Sequence, residues 1–206
     1  MQWVAPMESE RRALPSRAEN EIANPHMWLL TADNLHAQAL LLDRSKGQSM
    51  LTRTDFREDT RTSWDGENKS VFLLGGFALE NAIKAFLVYE NPQWISHGRL
   101  SSRLRSHSLV SLQKQSRQIP YKSRHIRVLR EFETGLESWA RYPYNLNIAI
   151  SVDEAIMREV WEGYIRLMRA YGRRLMDLLG RGWNGPHGFY GKWSFRGEFL
   201  STDTKR

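Results

Sequence analysis

Apolar residues along this chain recur mostly at three- and four-residue intervals, the period of an amphipathic α-helix. Trp28, Ala32, Leu35, Ala39 and Leu42 draw one such stripe. It opens at Asn24-Pro25, a capping residue followed by a first-turn proline, and stops before Gly47. A second helix is predicted from about Glu67 to Glu90. Phe72, Leu73, Leu74, Phe77, Leu79, Ile83, Phe86 and Leu87 cover most of its faces, so it belongs at the centre with neighbours on several sides. A short third helix follows His107 and carries Leu109, Val110 and Leu112. The fourth spans about Ser123 to Arg141, turns Ile126, Leu129, Phe132, Leu136 and Trp139 inward, and stops at Pro143. The fifth begins with Ser151 and Glu154 at capping-box spacing. Ile156, Val160, Tyr164, Leu167, Tyr171, Leu175 and Leu178 then line one face up to Gly180, where a C-terminal cap belongs.

Between these periodic stretches the pattern breaks down. Ser45 to Gly66 is polar and mixed in charge, which predicts a mobile loop or a short helix of its own. No segment before residue 182 alternates as a strand would, and no repeat recurs at solenoid periods. From Arg181 onward the chain is rich in glycine and aromatics, including Trp183, Phe189, Tyr190, Trp193, Phe195 and Phe199. Such a tail either folds back over the body, the expectation preferred here, or offers its rings to bases. The reading is an all-α bundle of four to five helices. Residues 1–23 form a flexible N-terminal segment, 24–180 the helical domain and 181–206 a Gly/aromatic basic tail.

Composition narrows the class. A hydrophobic share of 41% with 26% charged residues is that of a globular domain. The absence of cysteine excludes disulfides, thiol nucleophiles and zinc–thiolate sites, and fits a reducing, cytoplasmic setting. The N-terminus, Met1-Gln2-Trp3-Val4-Ala5-Pro6, soon reaches Glu8, Glu10, Arg11 and Arg12, and no secretory leader is expected. Val71 to Tyr89 is long enough to span a membrane. Glu80, Asn81 and Lys84 in its middle favour a buried helix instead, with no membrane partner.

Charge changes the picture more. No Asp or Glu occurs from Asn91 to Arg130, while nine Lys and Arg do: Arg99, Arg103, Arg105, Lys114, Arg117, Lys122, Arg124, Arg127 and Arg130. The chain has 30 basic and 23 acidic residues in all, so everything outside this stretch is slightly acidic. A local excess of this kind attracts polyanions, nucleic acid above all. The alternative is a basic surface that serves solubility or pairs with acids elsewhere.

Candidate chemistry is sparse. Glu80 and Lys84 stand one turn apart on the most apolar helix, in the favourable order for a helical ion pair, with Asn81 adjacent. They form either a structural salt bridge or a polar pocket completed by His107 and by Arg141-Tyr142. Gly75-Gly76 lacks the Lys-Ser or Lys-Thr of a phosphate-binding loop and predicts close helix packing. His26, His36, His97, His125 and His187 show no metal-ligand spacing, and neither a nucleophile elbow nor a dinucleotide fingerprint is present. No metal or cofactor is expected.

The run Phe72-Leu73-Leu74-Gly75-Gly76-Phe77-Ala78-Leu79-Glu80-Asn81-Ala82-Ile83-Lys84-Ala85 resembles the central helix of HEPN-like domains, which often read Gly-Tyr-Ala-x-Glu-x-x-x-Lys-Ala. His107-Ser108-Leu109 is similar to the His-x-Leu that opens a later helix in that family. Arg141-Tyr142-Pro143 is similar to an Arg-Tyr-Pro that closes the next helix in one branch. The three motifs occur in the family's order over roughly residues 70–145. The resemblance implies a four- or five-helix HEPN-like bundle, usually a homodimer, of prokaryotic toxin–antitoxin or phage-defence systems. An antitoxin or nucleotidyltransferase-like protein would be its partner, and RNA its target.

Many members are metal-independent ribonucleases built on Arg-x(4–6)-His, while others are non-catalytic modules that bind a protein or a nucleotide. Carried over, His107 would be the acid–base residue and Arg103 or Arg141 the phosphate stabiliser. Arg99, Arg105, Lys122, Arg124 and Arg127 would hold the RNA backbone. The spacing departs from the catalytic pattern. Three residues separate Arg103 from His107 and seven separate Arg99 from it. Arg181 and His187 have the right spacing, but Gly182, Gly185 and Pro186 interrupt them after the last helix.

Overall fold

The computed structural model describes residues 21–45, 50–65, 69–96, 98–138, 140–141, 154–180, 183 and 195–197. Among the described residues six helices carry the fold: α1 (Pro25–Ser45), α2 (Lys69–Glu90), α3 (Ser102–Arg105), α4 (Leu109–Gln115), α5 (Ile126–Glu137) and α6 (Glu154–Gly180). Two antiparallel pairs accompany them, β1 (Met50–Asp55) with β2 (Thr60–Asp65), and β3 (Ile95–Ser96) with β4 (Arg99–Leu100). The all-α reading holds, since neither pair forms a closed sheet or a core layer.

The apolar helix α2 takes the centre. It packs chiefly along α1 and also against α4, α5 and α6. Leu79, Ile83, Phe86 and Leu87 are fully buried, as are Ala78, Ala82 and Ala85 between them. The helix is long and apolar enough to cross a membrane, yet 72% of its most apolar window is buried inside this bundle. Gly75 and Gly76 explain how α5 and α6 come so near. A Cβ on Gly75 would stand 2.8 Å from Phe132 and 3.3 Å from Trp161 and Tyr164. One on Gly76 would stand 2.8 Å from Leu136. The space a side chain would need is filled by an aromatic cluster. Phe132 stacks on Tyr164 at 5.0 Å, Tyr164 on Trp161 at 4.6 Å, and Phe72 leans on both Phe132 and Trp161.

Helix α6 follows its predicted stripe, with Val160, Tyr164, Leu167, Tyr171, Leu175 and Leu178 all buried. The stripe predicted on α1 is buried only in part, with Ala32 and Ala39 inside and Trp28 and Leu35 packed half-buried against the core, and the buried face is wider than predicted. Leu29, Ala32, Asp33, His36 and Ala39 are buried, while Trp28, Leu35 and Leu42 flank them half-buried. A hydrophobicity count misses this face because two of its members are polar. His36 is inside because Tyr164 gives it a partner, with Nδ1 2.7 Å from the phenolic oxygen.

Three expectations need correction. Ser45–Gly66 holds a hairpin of two six-residue strands, not a mobile loop or a helix. Its side chains from Leu51 to Ser63 are almost all exposed, so no buried face exists to impose apolar alternation; its strand tendency resides in Thr52, Thr54, Thr60 and Thr62. The turn is set by Asp55, whose Oδ1 accepts the N–H groups of Arg57 and Glu58, and by Asp59 in the left-handed region (φ 49°). Helix α5 is shorter than its predicted span at both ends, because Ser123, Arg124 and His125 remain in turns and Ser138 leaves the helical region (φ −137°, ψ −98°) before Arg141. The stretch between α2 and α4 contains a 3-10 turn (Pro92–Trp94), the β3–β4 pair and α3, none of which is periodic enough to be predicted. Ser151, Tyr142, Pro143, Arg181 and His187, with most of the tail and of the N-terminal segment, lie outside the described residues. Of the tail, Trp183 and Phe195 pack against the core, and Gly197 lies so close to Asp33 that a Cβ would be 2.9 Å from its carboxyl carbon.

Gly76→Ala should destabilise the fold by roughly 1–3 kcal/mol, the usual penalty of overpacking, as read by urea unfolding. A second test uses His36. Burial holds this imidazole neutral, lowering its pKa from 6.5 to about 4. The unfolded chain takes up the proton first, so its contribution is intact above pH 6.5. Stability should fall as pH drops through 6.5 and level off below about 4, by up to about 3 kcal/mol. His36→Gln should flatten that part of the pH–stability profile.

Candidate functional site: a buried ion pair and a cationic aromatic groove

The one-turn spacing of Glu80 and Lys84 brings them into contact on α2, with Lys84 Nζ 2.6 Å from Glu80 Oε1. Both are about 95% buried, so neither charge has water to fall back on. Two elements complete their surroundings. Trp28 of α1 places its ring under the ammonium, 5.9 Å from the nitrogen to the ring centre. From the α3–α4 linker, His107 Nδ1 lies 3.0 Å from Glu80 Oε2 and 3.2 Å from Oε1. The His107 side chain is nevertheless 73% exposed. Its inner nitrogen is committed to the carboxylate, which orients the ring and leaves Nε2 facing solvent.

Part of the predicted pocket therefore forms: Glu80, Lys84 and His107 meet. Asn81 turns away and donates to the Phe77 carbonyl of its own helix at 2.8 Å. Arg141 is exposed beyond α5, and among the described residues no hydrogen bond or ion pair joins it to His107. Tyr142 is outside the described residues. Arg103, four residues before His107, points elsewhere, its guanidinium 5.0 Å from the centre of the Trp94 ring.

Trp94 introduces a second place. It borders a groove of about 910 Å³ at the C-terminal end of α2, whose walls include Tyr89, Trp183, Arg103 and Arg117. A smaller hollow of about 540 Å³ with Arg99 adjoins the same indole. Glu90 at the groove is separated from Glu80 by ten residues of α2, about 15 Å. The cationic residues nearest Trp94 and the imidazole of His107 thus belong to different neighbourhoods.

The acid-free stretch borrows its carboxylates from two helices. Glu80 holds His107. Glu90 accepts from the Ser116 hydroxyl and from the N–H groups of Arg117 (2.8 Å) and Gln118 (3.0 Å). Glu133 of α5 accepts from the Ser108 hydroxyl at 3.0 Å and the Val110 N–H at 3.1 Å, tying down the start of α4. All three carboxylates are spent on backbone, hydroxyl or imidazole groups, Glu80 also on the Lys84 ammonium, and none on an arginine side chain. Consequently Arg99, Arg103, Arg105, Lys114, Arg117, Arg124 and Arg130 are exposed without a carboxylate partner among the described residues. Arg127 pairs with Glu159 at 3.4 Å across open surface, and Lys122 donates to the Ser116 carbonyl. A further cluster lies where α5 begins. Burial and the positive charges of Arg124 and Arg166 together lower the pKa of His125.

Tyr89, Trp94, Glu90 and Glu133 are not among the site residues read from sequence, whereas Trp183 is, as one of the tail aromatics that could stack on bases. Of the other four, Trp94 alone carries a usable signal, as a tryptophan among polar neighbours at the mouth of the acid-free stretch. No three His, Asp or Glu residues group as metal ligands among the described residues. The chain matches no protein-family model, no curated protein and no solved structure.

Removing half of the buried pair strands the other charge. Glu80→Gln or Lys84→Met should each destabilise the protein by about 3–5 kcal/mol, whereas the joint Glu80→Gln/Lys84→Met variant should lose less than either alone. Chemical unfolding of the four proteins in a double-mutant cycle measures this.

Proposed function

We propose that this protein binds RNA through the cationic surface formed by residues 91–130, as a HEPN-like helical module of the cytoplasm. The observation that carries this reading is that seven of the nine cations in that stretch have neither a carboxylate nor a carbonyl partner among the described residues. Exposed arginines that fold stability required would have found the carboxylates of Glu80, Glu90 and Glu133, which serve other donors instead. Cations left free in this way are available to phosphates, whose contacts release condensed counterions and so drive association. A homodimer and an antitoxin or nucleotidyltransferase-like companion belong to the same proposal, on the resemblance of Gly76–Ala85, His107–Leu109 and Arg141–Pro143 to HEPN-like motifs.

One observation favours a second reading, a metal-independent ribonuclease. The His107 ring is held by Glu80 through Nδ1 and exposed at Nε2, the arrangement of a histidine oriented for proton transfer. In that chemistry Nε2 would remove the proton of a ribose 2′-hydroxyl as its oxygen attacks the adjacent phosphate. The attack would form a 2′,3′-cyclic phosphate and break the P–O5′ bond, and the 5′-oxygen would leave with a proton from water. The growing charge would need a cation from Arg103 or Arg141, neither of which touches His107 here.

Labelled RNA should bind the purified protein with log K falling by about 0.7 per tenfold rise in salt for each phosphate contacted, a total slope of about −3 for four contacts. Changing Arg99, Arg103 and Arg117 together to Gln should flatten the slope by about 2. Salt-independent binding, or none, would defeat the RNA reading. Incubation with EDTA separates its two forms: RNA stays intact for a binding module, whereas cleavage that disappears in His107→Ala marks the nuclease.

A further inference from the structure

The groove at Trp94 has a composition that generic attraction to polyanions does not need. We infer that it is a stacking site for unpaired bases, so that the protein selects single-stranded over duplex RNA; this rests on the RNA-binding reading above. Three rings, Tyr89, Trp94 and Trp183, line one groove of about 910 Å³. An aromatic face contributes little to phosphate binding but substantially to holding a base, because every base presents a π-surface of its own. In a duplex those surfaces are covered by neighbouring pairs, and only a strand with unstacked bases can use the groove.

Charge fits the same occupant. Arg103 rests on the indole of Trp94 as a cation over a π-face, and among the described residues it makes no hydrogen bond or ion pair. Its in-plane N–H donors are therefore free for a phosphate, while an incoming base stacks on the guanidinium plane or swings it aside to reach the indole face that it covers. Arg117 stands on the same wall, exposed and unpaired through its side chain. The carboxylate in the groove, Glu90, is engaged by the Ser116 hydroxyl and the N–H groups of Arg117 and Gln118. It braces the 116–118 loop in place of meeting a ligand cation.

The wall is also preformed. Arg174 of α6 donates to the side-chain oxygen of Gln118, Lys122 to the carbonyl of Ser116, and the Ser116 hydroxyl accepts the Ile119 N–H at 3.2 Å. A ligand entering here meets a loop already fixed on three sides, with little ordering left to do. Trp94 itself is held by backbone bonds, its N–H donating to the Asn91 carbonyl and its carbonyl accepting from Ser101. Replacing its side chain leaves those bonds in place.

The test measures anisotropy of the full chain with a labelled 12-residue oligouridine and with a blunt RNA duplex of equal length. Wild type should prefer the single strand. Trp94→Ala should weaken single-strand binding about tenfold while leaving duplex binding within twofold, and Trp94→Phe should recover most of the loss. Arg103→Gln, which leaves the ring intact, should weaken both RNAs together. Circular dichroism and an unfolding curve establish that each variant is folded, and Trp94→Phe carries the comparison if Trp94→Ala is not. If wild type binds both RNAs and Trp94→Ala changes neither, or weakens both alike, the stacking site is refuted and the RNA reading stands. If wild type binds neither, the RNA reading itself fails and takes this inference with it. Uridine monophosphate that displaces the oligonucleotide at equal concentration would also overturn it, by making the groove a mononucleotide pocket.

Discussion

A carboxylate and an ammonium buried side by side on the central helix constrain most of what surrounds them. In an apolar interior each would be destabilising alone, and the Glu80–Lys84 contact at 2.6 Å compensates only part of their lost hydration. The remainder has to come from other elements. Trp28 supplies a π-face from α1, and His107 supplies a nitrogen from the α3–α4 linker. The pair therefore specifies which helix face meets α1 and which point of the linker crosses α2. Apolar side chains alone would leave such registers degenerate, since methyl groups have no direction.

The second constraint is that a 40-residue stretch without acids must still satisfy its donors. It does so with Glu80, Glu90 and Glu133, drawn from α2 and α5. Each carboxylate pins one point of the stretch, at His107, at the 116–118 loop and at the start of α4. The irregular path between α2 and α5 is thus held by a few strong, charge-assisted bonds instead of by a continuous apolar face. The same economy leaves the guanidinium groups of this stretch, Arg127 excepted, without a carboxylate among the described residues. Structural anchoring and a free cationic surface are two outcomes of one distribution of acids.

Close packing around Gly75 and Gly76 adds the third element. The absence of two side chains lets Phe132, Leu136, Trp161 and Tyr164 reach the backbone of α2. Tyr164 then touches both this aromatic cluster and His36 on α1, which links the two sides of the bundle through one residue. The position of Trp94 follows from the other end of α2, where Pro92 closes the helix and the 3-10 turn directs the indole toward Arg103.

From the sequence alone one could read the helices whose apolar periodicity is strong, α2 and α6 above all, together with the pairing of Glu80 with Lys84 and the packing role of the glycine pair. Those features depend on local spacing, and a helix converts spacing into contact directly. The hairpin was illegible because its described side chains are mostly exposed and no buried face imposed alternation. The polar face of α1 was illegible because burial of His36 depends on Tyr164, 128 residues away. The same reason applies to function. The excess of cations was visible in the chain, but their freedom from carboxylates, the separation of Arg103 from His107 and the gathering of Tyr89, Trp94 and Trp183 into one groove were decided by tertiary structure, because each depends on the path of irregular backbone between helices, where no periodic rule links sequence distance to distance in space.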